Sequence, residues 1–200
     1  MTHPPAKLTI AHLEELEELL RERGAGITKR WRTPRSPRAV AEEIARLGLA
    51  VPDEAAVWWA WHDGVLESAP LHLRCISLGW YPLTVEAAVE ATLARRRSDQ
   101  EFGEWNPWRS SWIELCFDGS HGALAVDAGV APGEPSPVTL FFDNDEPRPD
   151  ATLPSVGELV LFWIAALRDG VLRVDGDGGG FAYLSPEEKA QARGVLADLL

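Results

Sequence analysis

The sequence predicts a single α+β domain in which a mostly antiparallel sheet carries helices packed on it. Segments with helical spacing of apolar residues are separate from segments with strand alternation, and the predicted strands form hairpins. The chain has 200 residues, which fits one domain at about 150 residues per domain, and no flexible linker is long enough to divide it. We therefore predict one domain over residues 1–200, with a basic loop at 25–38 and a C-terminal hairpin and helix extension at 176–200.

The strongest strand signal is a hairpin. Residues 112–117 alternate in polarity, which places Glu114 and Cys116 on the same face of a strand. A turn at 118–119 reads Asp-Gly, which suits a tight hairpin, and residues 123–126 form the returning strand. Three nearby tryptophans are predicted to anchor the sheet against the helices: Trp105, Trp108 and Trp112.

Further strands are predicted at 71–78 and 138–142, and residues 171–174 and 181–184 are predicted to pair as a hairpin. Helices are predicted wherever an apolar stripe follows a capping signal. Their positions are residues 9–23 and the segments that follow Ser36-Pro37, Pro52, Thr84, Ser155 and Ser185.

The third of these helices carries Trp58, Trp59 and Trp61. Three indoles within four residues cannot all share one face, so we expect at least one to be partly exposed. An exposed tryptophan is a candidate contact residue, and Trp59 is the one predicted here.

The net charge of −12 indicates the class of partner. Residues 98–160 hold twelve acidic residues against two basic ones, a net of −10. A field of this sign repels nucleic acid and anionic membranes and steers a basic protein partner toward the region. No apolar run approaches the roughly 20 residues of a membrane span, and the N-terminus lacks the apolar core of a signal peptide, so a cytoplasmic location is expected.

The loop at 29–35 places an aromatic residue, Trp31, among basic ones. This pattern can bind a nucleic-acid backbone with a stacked base. The positive charges are few in an acidic chain, however. A solvated loop, or one that docks on the protein's own acidic surface, is therefore the favoured interpretation.

The sequence contains no nucleophile elbow, metal motif or phosphate loop, so no catalytic residue, metal or cofactor is predicted. The five histidines are scattered, and Ser120-His121 lies in a turn where nucleophile and base rarely align. The Asp-Gly-Asp at 175–177 lacks the remaining ligands of a calcium loop. Cys75 and Cys116 are predicted to be buried reduced thiols.

Three stretches, in this order along the chain, carry a family resemblance. Residues 47–64 contain Pro52, an aromatic helix and a closing glycine, and residues 105–127 contain Trp-x-Pro-Trp, a strand, an Asp-Gly turn and a strand that ends in Asp. Residues 140–172 contain Phe-Phe-Asp, followed by an apolar helix that begins after a serine. The chain thereby resembles the SUKH superfamily of bacterial toxin-immunity proteins and fungal cell-wall-synthesis regulators. It departs from the family pattern at Glu114, in the turn at 120–122, and in the additional segments 29–38 and 176–200.

The resemblance implies an α+β domain that binds a protein and catalyses no reaction. For the bacterial members it implies immunity, the stoichiometric capture of a cognate toxin, often a nuclease, inside the producing cell. The alternative is a regulatory or scaffolding protein of the same fold with an endogenous partner, and the neighbouring genes distinguish the two. An enzyme with an acidic pocket around His121 and Asp127 is a third hypothesis.

For the immunity role, the acidic region is predicted to meet a basic surface of a toxin, with one tryptophan as an apolar anchor. The sequence specifies neither the toxin nor an oligomeric state. The predicted partner-binding residues are Asp118, Asp143, Asp145, Glu146, Asp150 and Trp59.

Overall fold

The structure, a computed structural model, describes residues 4–102, 108–142, 152–176 and 178–182, with the side chains of 99–102 excepted. It is a single-domain α+β fold, as predicted. Within these residues the helices are α1 (Ile10–Glu22), α2 (Pro37–Ile44), α3 (Asp53–Trp61), α4 (Val85–Phe102) and α5 (Val156–Arg168). The strands are β1 (Tyr81–Pro82), β2 (Trp112–Phe117), β3 (Gly122–Asp127), β4 (Val138–Phe142) and β5 (Thr152–Leu153).

The five strands form one sheet in the order β1-β2-β3-β4-β5, and every neighbouring pair is antiparallel. Each strand therefore pairs with its neighbour in sequence, as in a meander. The predicted hairpin is the β2–β3 pair at the centre. The predicted strand at 138–142 is β4, whereas β5 has no counterpart among the predicted strands.

The helices begin where the capping signals predicted them. The side-chain oxygens of Thr9, Ser36, Thr84 and Ser155 each accept a hydrogen bond from a backbone N–H in the first turn of the helix that follows. A side-chain oxygen thus replaces an intrahelical partner that the first turn lacks. Apolar stripes then bury one side of each helix, such as Leu13, Leu16 and Leu20 on α1.

The main core lies between the helices and one face of the sheet. That face contributes Ile113, Leu115, Leu124, Val126 and Leu140, and α5 contributes the fully buried Trp163. The opposite face carries a smaller cluster in which Trp108, Trp112 and Phe141 cover two alanines of β3, Ala123 and Ala125. Trp108 and Trp112 therefore pack on the sheet face opposite the main core, so they do not anchor the sheet against the helical core as predicted. Trp105 lies outside the described residues.

Two predictions about strands are wrong. Residues 71–73 form a 3-10 turn, and the chain reaches the sheet only at β1. Cys116 does not share a face with Glu114, because a bulge at Leu115 shifts the register and pairs Cys116 with Leu124 of the main core.

Of the predicted C-terminal hairpin, the described residues contain one antiparallel bridge, between Val174 and Phe181, while residues 183 and 184 lie outside them. Around it, the Gly-rich segment is a turn, in which the Asp175 carbonyl accepts a hydrogen bond from Gly179 N–H at 3.0 Å. The predicted helix after Ser185 lies outside the described residues.

Candidate partner-binding cleft

Of the sequence-predicted contact residues, Asp118 lies in the β2–β3 turn and is half-buried. Its Oδ1 accepts hydrogen bonds from the backbone N–H groups of Ser120 and Gly122, both at 2.8 Å. The carboxylate therefore shapes the turn, as aspartates commonly do, besides adding negative charge there. The other predicted acidic contacts lie outside the described residues: Asp143, Asp145, Glu146 and Asp150.

Trp59 is not an exposed anchor, and the expectation that one indole of α3 is exposed is wrong. Trp59 is 0% exposed, and its Nε1 donates a hydrogen bond to the Leu83 carbonyl at 3.2 Å. Trp58 and Trp61 are also buried, at 1% and 6%. All three indoles are buried because of tertiary contacts: α3 is surrounded by α1, α2 and α5 and by the segment that leads into α4, so more than one of its faces is covered.

The basic loop docks on the protein's own acidic residues. Arg35 Nε lies 2.8 Å from Oδ2 of the buried Asp63, and the guanidinium also pairs with Glu86. Trp31 stacks on His62, with ring centroids 4.7 Å apart and planes 8° from parallel. Because Trp31 is packed against the protein in this way, the loop does not present it as a free platform for a base.

His121 and Asp127 stand at opposite ends of β3. Six residues of extended chain span about 20 Å, so the two side chains do not share a pocket. Asp127 instead accepts a hydrogen bond from Gly129 N–H at 2.8 Å and shapes a second turn. His121 and Asp127 therefore do not form the acidic pocket that the enzyme hypothesis requires.

The two cysteines are buried free thiols, as predicted. Burial raises the pKa of Cys75 to about 11, although the nearby Arg74 opposes the shift. Burial also raises the pKa of Cys116 well above its ordinary value. Neither thiol is therefore activated as a nucleophile.

The described residues contain a cleft of about 430 Å³ beside the edge strand β1. Its floor is apolar and includes Leu83, Ala87 and Ala91. Ala87 and Ala91 are four residues apart on α4, so they share one helical face, and their short side chains leave the space open. The polar groups that line the cleft are those of Glu67, Arg74, Tyr81 and Thr84.

Edge strand β1 is protected against pairing with another strand. The neighbouring Leu83 N–H donates to the Leu115 carbonyl of β2 at 3.0 Å. Because strand residues alternate in direction, the nitrogen of Pro82 faces away from β2, and it carries no hydrogen. This edge is therefore unsuited to pairing with an added strand.

Two exposed leucines lie in the segment that forms one wall of the cleft, Leu66 at 45% and Leu71 at 41% exposure. The β2–β3 turn lies beside Leu71, because a Cβ on Gly119 would be 3.0 Å from Leu71 Cδ2 and 3.8 Å from Tyr81 Cε1. Burial raises the pKa of Tyr81, and the carboxylate of Asp118 adds to that rise. Asp118 is thus the sequence-predicted contact residue that the structure brings next to the cleft.

An apolar floor with a polar rim of this kind is typical of protein-binding surfaces. Sequence reasoning missed the cleft because its walls come from three separated segments. The signals that were available are Leu66 and Leu71 on either side of the polar residues Glu67 and Ser68, and the Pro82 of a two-residue strand.

Within the described residues, no group of three or more His, Cys, Asp or Glu side chains is placed to hold a metal ion. A search of the same residues finds no helix with the length and apolar character of a membrane span. The fold and the cleft define a single α+β domain with a candidate surface for a protein partner. Comparison with models of known families gives no match, and no curated protein sequence matches the chain.

Proposed function

We propose that this chain is a non-catalytic, SUKH-like binding protein that neutralises a cognate toxin in the cytoplasm of the producing cell. The observation that carries the proposal is the cleft beside β1, with two exposed leucines in the adjoining segment, residues 65–74, and Asp118 in the β2–β3 turn next to it. Solvent-exposed leucines that adjoin a cleft are candidates for burial by a partner.

The fold supports this role indirectly. A sheet in which all strand pairs are antiparallel, with helices packed on it, agrees with the architecture that the SUKH resemblance implies. The same architecture suits the alternative role as a scaffold for an endogenous partner, so the argument for a toxin rests on charge.

The net charge of −12 favours a basic partner. A nuclease toxin presents a cationic substrate groove, to which an acidic inhibitor is electrostatically complementary. Long-range attraction of this kind raises the association rate at low salt and is screened within about 10 Å at 0.1 M salt. We therefore expect the association rate constant to fall as ionic strength rises.

The proposed contact residues change in one respect. Asp118 and the acidic residues of the 143–150 segment stay in the proposal, whereas Trp59 leaves it because it is buried. Leu66 and Leu71 take its place as apolar anchors. Burial of a leucine side chain contributes about 1.5–3 kcal/mol, so each leucine accounts for about tenfold or more in affinity if fully covered.

The test is to titrate the purified chain into the nuclease encoded beside its gene and to measure both the affinity and the residual nuclease activity. We expect nanomolar binding together with loss of activity. Leu66→Asp and Leu71→Asp are each expected to weaken binding about tenfold or more. Ile10→Asp is the matched control, because Ile10 is similarly exposed, at 48%, but lies on α1 away from the residues that line the cleft.

Absence of both binding and protection would show that the neighbouring nuclease is not the target. If a host protein is then retrieved from the native cell in a manner that Leu71→Asp abolishes and Ile10→Asp does not, the scaffolding role is the correct one. A wild-type affinity for both leucine variants would remove the cleft from the proposal.

A further inference from the structure

Arg74 has an unusual environment. Its guanidinium carbon lies 4.7 Å from the centre of the Tyr81 ring, and its Nε is buried without a hydrogen-bond partner. It forms no ion pair with any carboxylate in the described part of the chain. Because it lines the cleft and has no carboxylate partner there, its guanidinium is placed to pair with an anionic group that enters the cleft.

Two other arginines that are half-buried or buried pair with carboxylates. Arg35 contacts Asp63 at 2.8 Å, and Arg95 contacts Glu114 at 2.6 Å. Arg46, which is more exposed, contacts Glu43 at 2.8 Å. Arg30 also has a buried Nε without a partner, but it does not line the cleft, so Arg74 is the arginine without a carboxylate partner that the cleft contains.

Glu67 is the carboxylate that lines the cleft together with Arg74, so it is the first candidate for an ion pair with it. The two do not form an ion pair, and Glu67 is exposed, so water satisfies its charge. Arg74 is half-buried and its guanidinium packs on the Tyr81 ring, so water reaches its charge less than that of Glu67. The charge of an entering group is therefore selected by Arg74 rather than by Glu67.

We propose that the cleft binds an acidic side chain, Asp or Glu, of the partner protein together with an adjacent apolar side chain. The carboxylate pairs with the guanidinium of Arg74, and the apolar side chain covers Leu83, Ala87 and Ala91. A guanidinium forms a planar fork that matches a carboxylate, which suits this role better than a lysine.

The carboxylate belongs to a side chain rather than to a chain terminus. Terminal carboxylates are captured by groups of backbone N–H donors. The strand at this wall instead presents Pro82, whose nitrogen has no hydrogen. Because the strand lacks this backbone donor and the guanidinium of Arg74 is present, the cleft suits a segment that passes along it and projects an acidic side chain toward Arg74.

This inference rests on the proposed function and makes it more specific. The overall negative charge attracts basic partners of many kinds without distinguishing them. One cation within the cleft requires a carboxylate at one position of the partner, and a partner that lacks it leaves Arg74 desolvated and unpaired. The cleft then selects the cognate toxin among other basic proteins.

The experiment is an NMR titration of the full ¹⁵N-labelled chain with three N-acetylated, C-amidated tripeptides: Leu-Glu-Leu, Leu-Gln-Leu and Leu-Lys-Leu. The Glu peptide is expected to bind about tenfold more tightly than the Gln peptide and to shift the Nε–Hε resonance of Arg74 and the amides of Ala87 and Ala91. Arg74→Gln is expected to abolish the preference, and Arg74→Lys to retain part of it. The spectrum itself reports whether each variant is folded.

Equal affinity for the Glu and Gln peptides, a preference for the Lys peptide, no binding of any peptide, or shifts confined to residues outside the cleft would each overturn the inference. The titration contains no toxin, so its failure leaves the proposed function untouched. Conversely, a preference for the Glu peptide in a chain that neutralises no toxin counts against the proposed function alone.

Discussion

Glu54 joins three parts of the chain that are distant in sequence, and its replacement is the sharpest test of how the fold is held. It is 2% exposed. Its Oε1 accepts hydrogen bonds from the N–H groups of Leu8 at 2.6 Å and Gly157 at 2.9 Å, and its Oε2 accepts one from Ser136. The N-terminal segment, the loop before β4 and the start of α5 thus converge on one carboxylate.

The size of the effect follows from the number of donors. Glu54→Ala leaves three buried N–H groups without an acceptor, at about 1–3 kcal/mol each. Water that enters the vacated space compensates part of this, and we expect the free energy of unfolding to fall by about 4 kcal/mol. That is a large share of the roughly 5–15 kcal/mol of a typical domain. Glu54→Gln retains one oxygen, which can serve two of the three donors, and we expect a loss of about 2 kcal/mol.

The assay is urea unfolding followed by fluorescence of the nine tryptophans. Asp53→Ala is the control, because the neighbouring Asp53 is exposed and accepts one hydrogen bond, from Gly133 N–H at 3.1 Å. We expect that control to lose less than about 1 kcal/mol. If Glu54→Ala lies within 1 kcal/mol of the wild type, roughly the cost of a single lost hydrogen bond, the carboxylate does not hold the three segments.

Three further results are expected. Gly157→Ala should lower the free energy of unfolding by about 3 kcal/mol, since its Cβ would lie 2.3 Å from the Ala6 carbonyl oxygen. The control Gly178→Ala, whose Cβ would meet open space, should change it by under about 0.5 kcal/mol. Equal effects of the two substitutions in the same urea assay would contradict this. With its pKa raised to about 11, Cys75 should react with a thiol reagent at pH 8 about 100-fold more slowly than in urea, and equal rates would show that the thiol is accessible. Arg95→Ala should cost about 3–5 kcal/mol in the urea assay by leaving the carboxylate of Glu114, 1% exposed, without its guanidinium partner, and a loss below about 1 kcal/mol would contradict the ion pair.

Much of the fold was predictable because the relevant signals are local. Ser36-Pro37 and Ser155 begin helices through contacts within one turn, and the Asp-Gly at 118–119 closes a hairpin whose strands alternate. These interactions involve residues a few positions apart, so the sequence pattern and the structure coincide.

The errors arise where distant segments decide the outcome. Alternation at 71–78 resembles a strand, yet in the described part of the chain these residues do not join the sheet, and residues 71–73 form a 3-10 turn instead. The indole of Trp59 is buried because several helices and the segment before α4 surround α3, which no count of helical faces can foresee.

The candidate site was predicted only in part. Asp118 is the predicted acidic contact that the structure places beside the cleft, and its role in the turn follows from Asp-Gly chemistry. Leu66, Leu71 and Arg74 were missed, because a cleft between a loop, an edge strand and α4 leaves no periodic pattern in the sequence.

The most direct test of the central claim is hydrogen–deuterium exchange of the full chain, alone and in complex with the toxin encoded beside its gene. We expect slower exchange on binding within residues 65–74, in β1 and in the β2–β3 turn, and unchanged exchange in α1. Protection confined to α1 and α5, with no change around the cleft, would contradict the claim that the surface beside β1 binds the partner.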